Sequence, residues 1–460
     1  MISLGELALA IDGAATDSPD VRIDSVSTDS RTLVTGALFV ALRGPRFDGH
    51  DFAAQARQRG AAALMVEHAV AVDCPQLRVP DSLRALGRAA AHWRGGFSLP
   101  VLAVTGSNGK TTLTQMIASI FARTYGERDG RAAWLATRGN LNNEIGLPLM
   151  LLELRVHHRV AVFELGMNHP GEIAELAQMA RPTLAVVNNA QREHQEFLSS
   201  REATARENGA VLAALPNDGI ALFPSDDPCA PIWRELAGLR RVIDFARSGP
   251  AAVTARWQVR PGGSRIHIAA PGAALDVNLS LAGAHNVHNA LAAASCGLAL
   301  GIAPAAIVAG LEAFRAVAGR GRRLAGAHGT VVIDDSYNAN PDSVRAAIDL
   351  LAAETPPRLL LLGDMGEVGE QGPQFHREIG EYARDRGIEA LLAAGPASLE
   401  AVRAFGGGAR HFDDAEGLIA ALPPLLRGGT VLVKGSRFMR MERVVQAIAA
   451  APRLGVEDAA

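Results

Sequence analysis

The chain has few cysteines, and they form no recognisable pattern. Cys74, Cys229 and Cys296 are odd in number and far apart in the sequence, which excludes a disulfide framework and a C-x-x-C metal site. We therefore expect reduced thiols, as in most cytoplasmic proteins. The first residues carry no positive charge before Arg22, so the n-region of a secretory signal peptide is missing too. These absences predict a cytoplasmic protein.

Long runs of one charge are also missing. Lys and Arg number 45 and Asp and Glu 48, and no basic block of six or more residues occurs, which argues against nucleic-acid binding. No charged residue lies between Asp276 and Glu312. That stretch contains histidine, asparagine and proline, which are costly in lipid. It predicts two buried Ala-rich helices broken between Gly301 and Pro304, and no membrane insertion.

The length and the apolar pattern predict three α/β domains. A chain of 460 residues is too long for one hydrophobic core. Residues 1–98 form a small α/β module. Residues 99–318 alternate buried strands such as VLAVTG and TLAVVNN with helices, which predicts a doubly wound parallel sheet. A Gly- and Arg-rich break precedes residues 319–460, a third, Rossmann-like α/β domain.

The strongest motif is VTGSNGKTT at 104–112. A buried strand runs into a glycine-rich turn and then a helix, whose free backbone N–H groups can cradle phosphate oxygens. Lys110 can reach the β- and γ-phosphates, and the hydroxyl of Thr111 can bind Mg²⁺. The loop is not an ordinary Walker loop, because Val104 replaces its first glycine. The predicted loop residues are Gly106, Ser107, Asn108, Gly109, Lys110, Thr111 and Thr112.

Other polar residues follow neighbouring strands of the same predicted sheet. Glu164 closes AVFELG and is placed to bind a divalent cation, although by itself it could be a helix-capping acid. His194 follows TLAVVNN, and its metal role depends on the whole set of motifs. The loop TRGNLNNEIGLP contains Asn140, Asn142 and Asn143. Their spacing suits recognition of a polar substrate, and it also suits a simple turn.

Together these motifs resemble the Mur ligases, the ATP-dependent amide-forming enzymes of peptidoglycan precursor synthesis. The loop TGSNGKT is specific to that family, and the likeness extends over essentially the whole chain. It is most similar to the branch that joins D-alanyl-D-alanine to UDP-N-acetylmuramoyl-tripeptide. The segments that carry this likeness are DSRTLVTGALFVALRGPRFDGHDF at 29–52, GNLNNEIGLP at 139–148, GAHNVHNALAAA at 283–294, IDDSYNANPDS at 333–343 and LLGDMGEVG at 361–369.

The resemblance implies a role for each matching residue. The implied catalytic set is Lys110, Glu164, His194 and Arg322, and the implied Mg²⁺ ligands are Thr111, Glu164 and His194. Besides the phosphate loop, ATP would contact Asn286, Asn289, Arg322, Asp335 and Tyr337. The UDP end of the nucleotide substrate would contact Ser30, Arg31 and His50. The remaining substrate contacts would come from Asn140, Asn142, Asn143, Asn338 and Asn340.

The implied reaction makes an amide through an acyl phosphate. Transfer of the γ-phosphoryl group to a substrate carboxylate creates a good leaving group, and the amine of D-Ala-D-Ala then attacks. A guanidinium suits the charge on the transferring group, and the resemblance gives that part to Arg322. Arg320 and Arg323 lie beside it, and the sequence leaves open which of the three reaches phosphate.

One position departs from the family pattern. In much of the family a lysine shortly after the metal-binding histidine is carbamylated, and its negative charge helps to hold a second Mg²⁺. The comparable position here is Asn208, and an amide cannot form a carbamate. We therefore expect ligation that does not depend on dissolved CO₂, with Glu196 or Glu207 balancing the second metal.

Three alternatives compete with this interpretation. The sister ligase that adds diaminopimelate or lysine carries a DNPR motif in its diaminopimelate form, and none occurs here. Folate polyglutamate synthetases share the ligase logic but not DSYNANP. A non-catalytic NTP-binding switch or a transport ATPase would hydrolyse nucleotide without either substrate. The sequence leaves open the third residue of the tripeptide, and a monomer is expected.

Overall fold

The computed structural model describes residues 1–193, 195–198, 200–260, 262–422, 426 and 428–449. These residues form three α/β domains, each built around its own main sheet. Within the described ranges, no helix is long and apolar enough to cross a membrane. The cysteines Cys74, Cys229 and Cys296 are all buried and free, which confirms that none is paired.

The first domain contains a five-stranded sheet with three helices. Its apolar runs ALFV and ALMV form fully buried central strands. In chain order the elements are β1 (Ile2–Ser3), α1 (Leu4–Ala10), β2 (Ala15–Thr16), β3 (Arg22–Ile23), β4 (Ser25–Ser27), β5 (Ala37–Val40), β6 (Arg43–Gly44), β7 (Phe47–Asp48), α2 (Ala53–Gln58), β8 (Ala63–Val66), β9 (Gln76–Arg78) and α3 (Ser82–Gly95). The strand order is β2-β9-β8-β5-β4, and every pair except β2 with β9 is parallel.

The central domain is built on a nine-stranded sheet. Its elements are β10 (Val101–Thr105), α4 (Lys110–Tyr125), β11 (Glu127–Arg128), β12 (Arg131–Ala132), β13 (Trp134–Ala136), α5 (Gly146–Leu151), β14 (Val160–Glu164), α6 (Glu172–Ala180), β15 (Leu184–Val187), α7 (Arg201–Ala213), β16 (Ile220–Pro224), α8 (Ala230–Ala237), β17 (Arg241–Ala246), β18 (Val253–Arg260), β19 (Gly263–Ala270), β20 (Ala273–Leu279), α9 (Ala284–Ala299) and α10 (Pro304–Ala313). The order is β13-β14-β10-β15-β16-β17-β18-β19-β20. Pairs from β13 to β18 are parallel, and the last two pairs are antiparallel.

Helices cover both faces of this central sheet, as the sequence predicts. Leu102 and Val104 of β10 point into a core that includes α4 and α9, while Val101 and Ala103 point into the opposite core with α5 and α6. Because both faces are buried, the strands read as continuous apolar runs. The predicted pair of Ala-rich helices is confirmed as α9 and α10.

The third domain contains a six-stranded sheet. Its elements are β21 (Arg322–Ala325), β22 (Val331–Asp335), α11 (Pro341–Ala352), β23 (Arg358–Gly363), α12 (Gly372–Asp385), β24 (Ala390–Ala394), α13 (Leu399–Phe405), β25 (Ala409–Phe412), α14 (Ala415–Ala421), β26 (Thr430–Lys434) and α15 (Glu442–Ile448). The order is β21-β22-β26-β23-β24-β25. Only the edge pair of β21 and β22 is antiparallel. The crossover places the ends of β22 and β26 side by side.

The first two domains share a continuous apolar core. Leu86 of α3 belongs to the same buried cluster as Leu147 of α5 and Leu176 of α6. The buried Arg94 of α3 donates to the carbonyl oxygens of Ala180 (2.8 Å) and Arg181 (3.0 Å). These carbonyls lie at the end of α6, so a cation there also complements the helix dipole. The contact fixes the first domain against the central one.

Candidate active site

A cleft of about 610 Å³ lies where strand ends of the central and third domains meet. The loops after β10, β14, β15, β16 and β17 form one side, and the ends of β22 and β26 contribute to the other. Carboxyl ends of parallel strands are where ligands bind in open α/β sheets. The sequence-predicted residues that line the cleft are Ser107, Asn108, Gly109, Lys110, Thr111, Thr112, Asn140, Asn142, Asn143, Glu164, Asn286, Asn289, Asp335, Tyr337, Asn338 and Asn340.

Two asparagines that directly follow β15 stabilise the conformation of the phosphate loop. The carbonyl of Asn108 accepts hydrogen bonds from the side chains of Asn188 (2.7 Å) and Asn189 (2.9 Å). Gly109 has φ +80°, and a Cβ there would lie 2.5 Å from Oδ1 of Asn289. This position therefore requires glycine. The loop ends at Lys110, the first residue of α4, so the helix N-terminus faces the cleft.

Lys110 is held in place by three acceptors. Its Nζ donates to the carbonyls of Gly106 (2.6 Å) and Ser107 (3.2 Å) and to Oε1 of Glu193 (3.1 Å). Gly106 shapes the loop without lining the cleft. Glu193 does line the cleft, although the sequence argument did not single it out. The amine is therefore already fixed beside the anion cradle.

Glu164 is a buried carboxylate with one unused oxygen. Its Oε1 accepts from Nδ2 of Asn142 (2.7 Å), and its backbone N–H donates to Thr137 (2.9 Å). Oε2 is buried and has no hydrogen-bond partner among the residues that the structure describes. A buried carboxylate oxygen is costly unless it is paired or binds a metal. The Asn142 amide and the orphaned oxygen together fit a cation ligand better than a helix cap.

The structure supports part of the predicted metal set. Thr111 is buried at the start of α4 and lines the same cleft as Glu164. Hydroxyl and carboxylate oxygens are the donors that Mg²⁺ prefers. His194 lies outside the described residues. Among the residues that are described, no three His, Cys, Asp or Glu side chains converge on a metal position, so the set depends on Thr111 and Glu164.

Asn208 supports the phosphate loop. Its Oδ1 accepts from the Gly106 N–H (2.8 Å), and its Nδ2 donates to the Thr204 carbonyl (3.2 Å). Of the two acids expected to balance a second metal, Glu207 accepts from backbone N–H groups at the start of α6 and Glu196 is exposed. Neither acid lines the cleft. Glu193, by contrast, lines the cleft beside Lys110.

This arrangement sharpens the prediction on carbon dioxide. Lys110 and Lys434 are the only lysines of the chain, and a carboxylate pairs with each amine. A carbamate forms on a free amine, and here each amine also donates to a backbone carbonyl. We therefore expect the same ligation rate in degassed, bicarbonate-free buffer as in air-equilibrated buffer, assayed at several Mg²⁺ concentrations. A large loss that bicarbonate restores would show that one of these amines is carbamylated.

The N-terminal turn of α9 forms another wall of the cleft. Oδ1 of Asn289 accepts from Nδ2 of Asn188 (2.9 Å), and Nδ2 of Asn286 donates to the Ala282 carbonyl (2.8 Å). Both asparagines are buried. Nε2 of His288 lies 2.7 Å from the Asn188 carbonyl, and burial lowers the pKa of this histidine. A neutral imidazole thus ties α9 to the end of β15.

The third domain contributes an ion pair at the ends of β22 and β26. Nζ of Lys434 donates to Oδ2 of Asp335 (2.6 Å) and to the carbonyl of Asn338 (2.9 Å). The Lys434 side chain is only 4% exposed, yet it lines the cleft. The sequence argument missed this lysine. Its position, after a buried strand that ends in polar residues, is the same signal that identified Glu164.

Of the three crowded arginines, Arg320 is the one at the cleft. Its guanidinium lies 4.1 Å from the ring centroid of Tyr337, and Arg320 lines the cleft. Arg322 is exposed on the edge strand β21 and does not line the cleft, while Arg323 pairs with Glu354. The structure therefore does not place Arg322 where the resemblance implied. Gly319 and Gly321, on either side of Arg320, both have positive φ (75° and 72°), so the chain turns sharply before β21 and the sequence did not reveal which arginine faces inward.

Two polar contacts hold the third domain against the phosphate loop. The side-chain amides of Asn108 and Asn340 donate to each other (2.9 and 3.2 Å). Nearby, Arg192 of the central domain bonds to Asp342 (2.7 Å) and Glu378 (2.7 Å) of the third domain. Its guanidinium is half-buried, and bidentate pairs of this kind are geometrically specific. These contacts close the cleft on the side of Lys110.

The residues implied for UDP binding lie elsewhere, at the carboxyl end of the first-domain sheet. Ser30 donates to Gln55 (2.6 Å), and Arg31 is exposed and paired with Asp29. His50 is buried. Its Nδ1 contacts Asp48, and its Nε2 accepts from the Glu67 N–H (2.9 Å). Both ring nitrogens are therefore occupied within the domain, which makes His50 a support for this edge.

Comparison with known proteins gives a consistent result. The family model for the Mur ligase catalytic domain matches residues 22–94, the middle-domain model matches 104–297, and the glutamate ligase domain model matches 319–437. UDP-N-acetylmuramoyl-tripeptide--D-alanyl-D-alanine ligase of Escherichia coli is 39% identical over 97% of this chain and 98% of that protein. The ligase of the same name from Bacillus subtilis is 31% identical over 94% of both chains.

Solved structures agree with these matches. MurF from Acinetobacter baumannii superposes with a TM-score of 0.90 at 33% identity, covering 97% of this chain and 98% of that one. MurF ligase from Thermotoga maritima, in complex with ADP, gives 0.81 at 27% identity, covering 93% and 97%. The three domains and the phosphate loop described above thus have counterparts in proteins that match this chain over nearly its full length. The chain belongs to the Mur ligase family.

Proposed function

We propose that the protein is an ATP-dependent ligase that joins D-alanyl-D-alanine to UDP-N-acetylmuramoyl-tripeptide in peptidoglycan precursor synthesis. One observation carries this most directly: a phosphate loop, an asparagine-rich loop and the polar strand ends of a third domain line one cleft. A nucleotide and two further reactants can meet there. The full-length likeness to ligases of this name supports the choice of substrates.

In this proposal the positively charged side chains at the cleft bind the phosphates and stabilise phosphoryl transfer. Lys110 holds the terminal phosphates of ATP while the tripeptide carboxylate attacks the γ-phosphorus, giving an acyl phosphate and ADP. We assign the neighbouring guanidinium to Arg320 rather than Arg322, because Arg320 lines the cleft. Charge on the transferring group is greatest in the transition state, so fixed cations accelerate this step. The dipeptide amine then displaces phosphate, and closure of the third domain keeps water out.

Mg²⁺ is part of the proposal. Thr111 and Glu164 would hold it, with His194 as a third ligand. A bound Mg²⁺ supplies positive charge to the phosphate oxygens. The residues present fit such an ion, because the buried Oε2 of Glu164 has no hydrogen-bond partner within the described part of the chain and Thr111 lines the same cleft. Asn286, Asn289, Asp335 and Tyr337 are proposed as further ATP contacts.

The remaining substrate contacts are proposed from the residues that line the cleft and from those at the edge of the first-domain sheet. Asn140, Asn142, Asn143, Asn338 and Asn340 are proposed for the peptide substrates, because they line the cleft near Glu164 or Asp335. Ser30, Arg31 and His50 are proposed for the UDP end. We further propose domain limits of 1–98, 99–318 and 319–460, supported by the three main sheets and by the ranges of the family models. We propose a monomer that works in the cytoplasm.

A coupled assay tests this function. We expect phosphate release only when UDP-N-acetylmuramoyl-tripeptide and D-Ala-D-Ala are both present, with about a tenfold to hundredfold preference for D-Ala-D-Ala over dipeptides of altered size or stereochemistry. Diaminopimelate, offered with the nucleotide-dipeptide, serves as the matched control for the sister activity. Efficient ligation of diaminopimelate would reassign the subfamily. Phosphate release without either substrate would favour an ATPase.

A further inference from the structure

The two lysines of the chain occupy the same cleft. Lys and Arg together number 45, and all except Lys110 and Lys434 are arginines. Both lysines line the cleft and are largely buried. On a solvated surface lysine and arginine can both supply a positive charge. A compact point charge with three separate donors, however, is a property of lysine alone. Two lysines at one site therefore indicate a chemical requirement there.

The phosphate loop explains why residue 110 is a lysine. It does not explain why residue 434 is one. The Lys434 amine lies at the end of β26, where the parallel pairing sets it beside Asp335 at the end of β22. It bonds to Oδ2 of Asp335 (2.6 Å) and to the Asn338 carbonyl (2.9 Å). One ammonium thus holds both a carboxylate that faces the cleft and the backbone three residues further on.

The segment that Lys434 holds carries much of the third-domain wall. Between Asp335 and Asn340 lie Tyr337, which stacks with Arg320, and Asn338. Asn340 pairs with Asn108 of the phosphate loop. A shift of this segment would therefore move contacts on both sides of the cleft. An arginine would place a larger planar guanidinium in the position of this ammonium, which bonds to Asp335 at 2.6 Å and to the Asn338 carbonyl at 2.9 Å.

We propose that Lys434 is a positioning residue, which fixes the carboxylate of Asp335 and the segment 335–340 for nucleotide binding and requires an ammonium to do so. This inference depends on the proposed function, because it assumes that the Asp335 side of the cleft receives the nucleotide. Lys434 acts through Asp335, so removing either partner disturbs the same unit. Residues in one such unit give non-additive effects on substitution.

The test is a double-mutant cycle of Lys434→Met, Asp335→Asn and the double variant, with Lys434→Arg as the charge-preserving variant. KM for ATP, kcat, affinity for a non-hydrolysable ATP analogue and Tm are measured for each. We expect each single variant, including Lys434→Arg, to raise KM for ATP and weaken analogue binding by roughly tenfold. We expect the double variant to be no worse than the poorer single variant, and kcat to fall less than KM rises.

Any of three results would overturn the inference. These are additive losses in the double-mutant cycle, wild-type behaviour of Lys434→Arg, and an unchanged KM for ATP. Lys434→Met leaves the half-buried carboxylate of Asp335 without its ammonium, and Asp335→Asn leaves the buried ammonium of Lys434 without its carboxylate, so either single variant can destabilise the domain. The double variant removes both charges, and Tm identifies the variants that are folded. Failure of the proposed function has a different signature, because the wild type itself would then not ligate the two substrates, whether or not it binds the ATP analogue.

Discussion

Lys110→Ala is expected to abolish ligation while leaving the fold intact. The amine is the cation within the phosphate loop, and among the described residues its Nζ bonds to two loop carbonyls and to Glu193. Its removal takes charge away from the transferring phosphoryl group and creates no cavity in the apolar core. Losses of about 10²–10³-fold in kcat are typical when one preorganised donor is removed. The measurement is kcat in the coupled assay, together with Tm.

The matched control is Arg123→Ala on the exposed face of the same helix, α4. It removes one positive charge at a similar cost in helix propensity, and its activity should match the wild type. Lys110→Ala leaves Glu193 without its ammonium partner, so a modest fall in Tm is compatible with the prediction. Near-normal turnover of the lysine variant would remove the phosphate loop from the mechanism.

The strands that carry the site were predictable from the sequence alone. β10, β14, β15, β22 and β26 are each a continuous apolar run followed by polar or glycine residues, and each is confirmed. The reason is physical: strands buried on both faces need apolar residues throughout, and their carboxyl ends must open into loops. The same logic predicted that Lys110 and Glu164 lie at neighbouring strand ends, and both line the cleft. Asp335, which also lines it, was implied by the family resemblance.

Contacts between domains were not predictable in this way. Arg192 lies in a loop with no periodic pattern, and its partners Asp342 and Glu378 are more than a hundred positions away in the sequence. The inward position of Arg320 depends on how one irregular segment turns. Lys434 is different, because the scarcity of lysine is visible in the sequence, although the sequence argument did not use it. Rare residue types in a biased composition are a usable signal.

Glu164→Gln is expected to cost as much as the loss of a direct catalytic group. Glutamine keeps the shape, and its remaining oxygen can still accept from Asn142. The amide nitrogen would occupy the place of Oε2, which has no hydrogen-bond partner among the described residues. The substitution therefore removes the negative charge and turns a cation ligand into a donor. We expect kcat to fall by about 10²–10³-fold and the Mg²⁺ concentration for half-maximal rate to rise.

The control for this charge removal is Glu175→Gln, at an exposed acid on α6, which should leave both the rate and the Mg²⁺ dependence unchanged.

The Tm of Glu164→Gln provides a second, independent test. Burial penalises an unpaired carboxylate, so Glu164→Gln should unfold at an equal or higher Tm than the wild type without Mg²⁺. That combination, lower activity with undiminished stability, is expected of a residue kept for its ligand rather than for the fold. A lower Tm with a normal Mg²⁺ dependence would instead make Glu164 a structural acid.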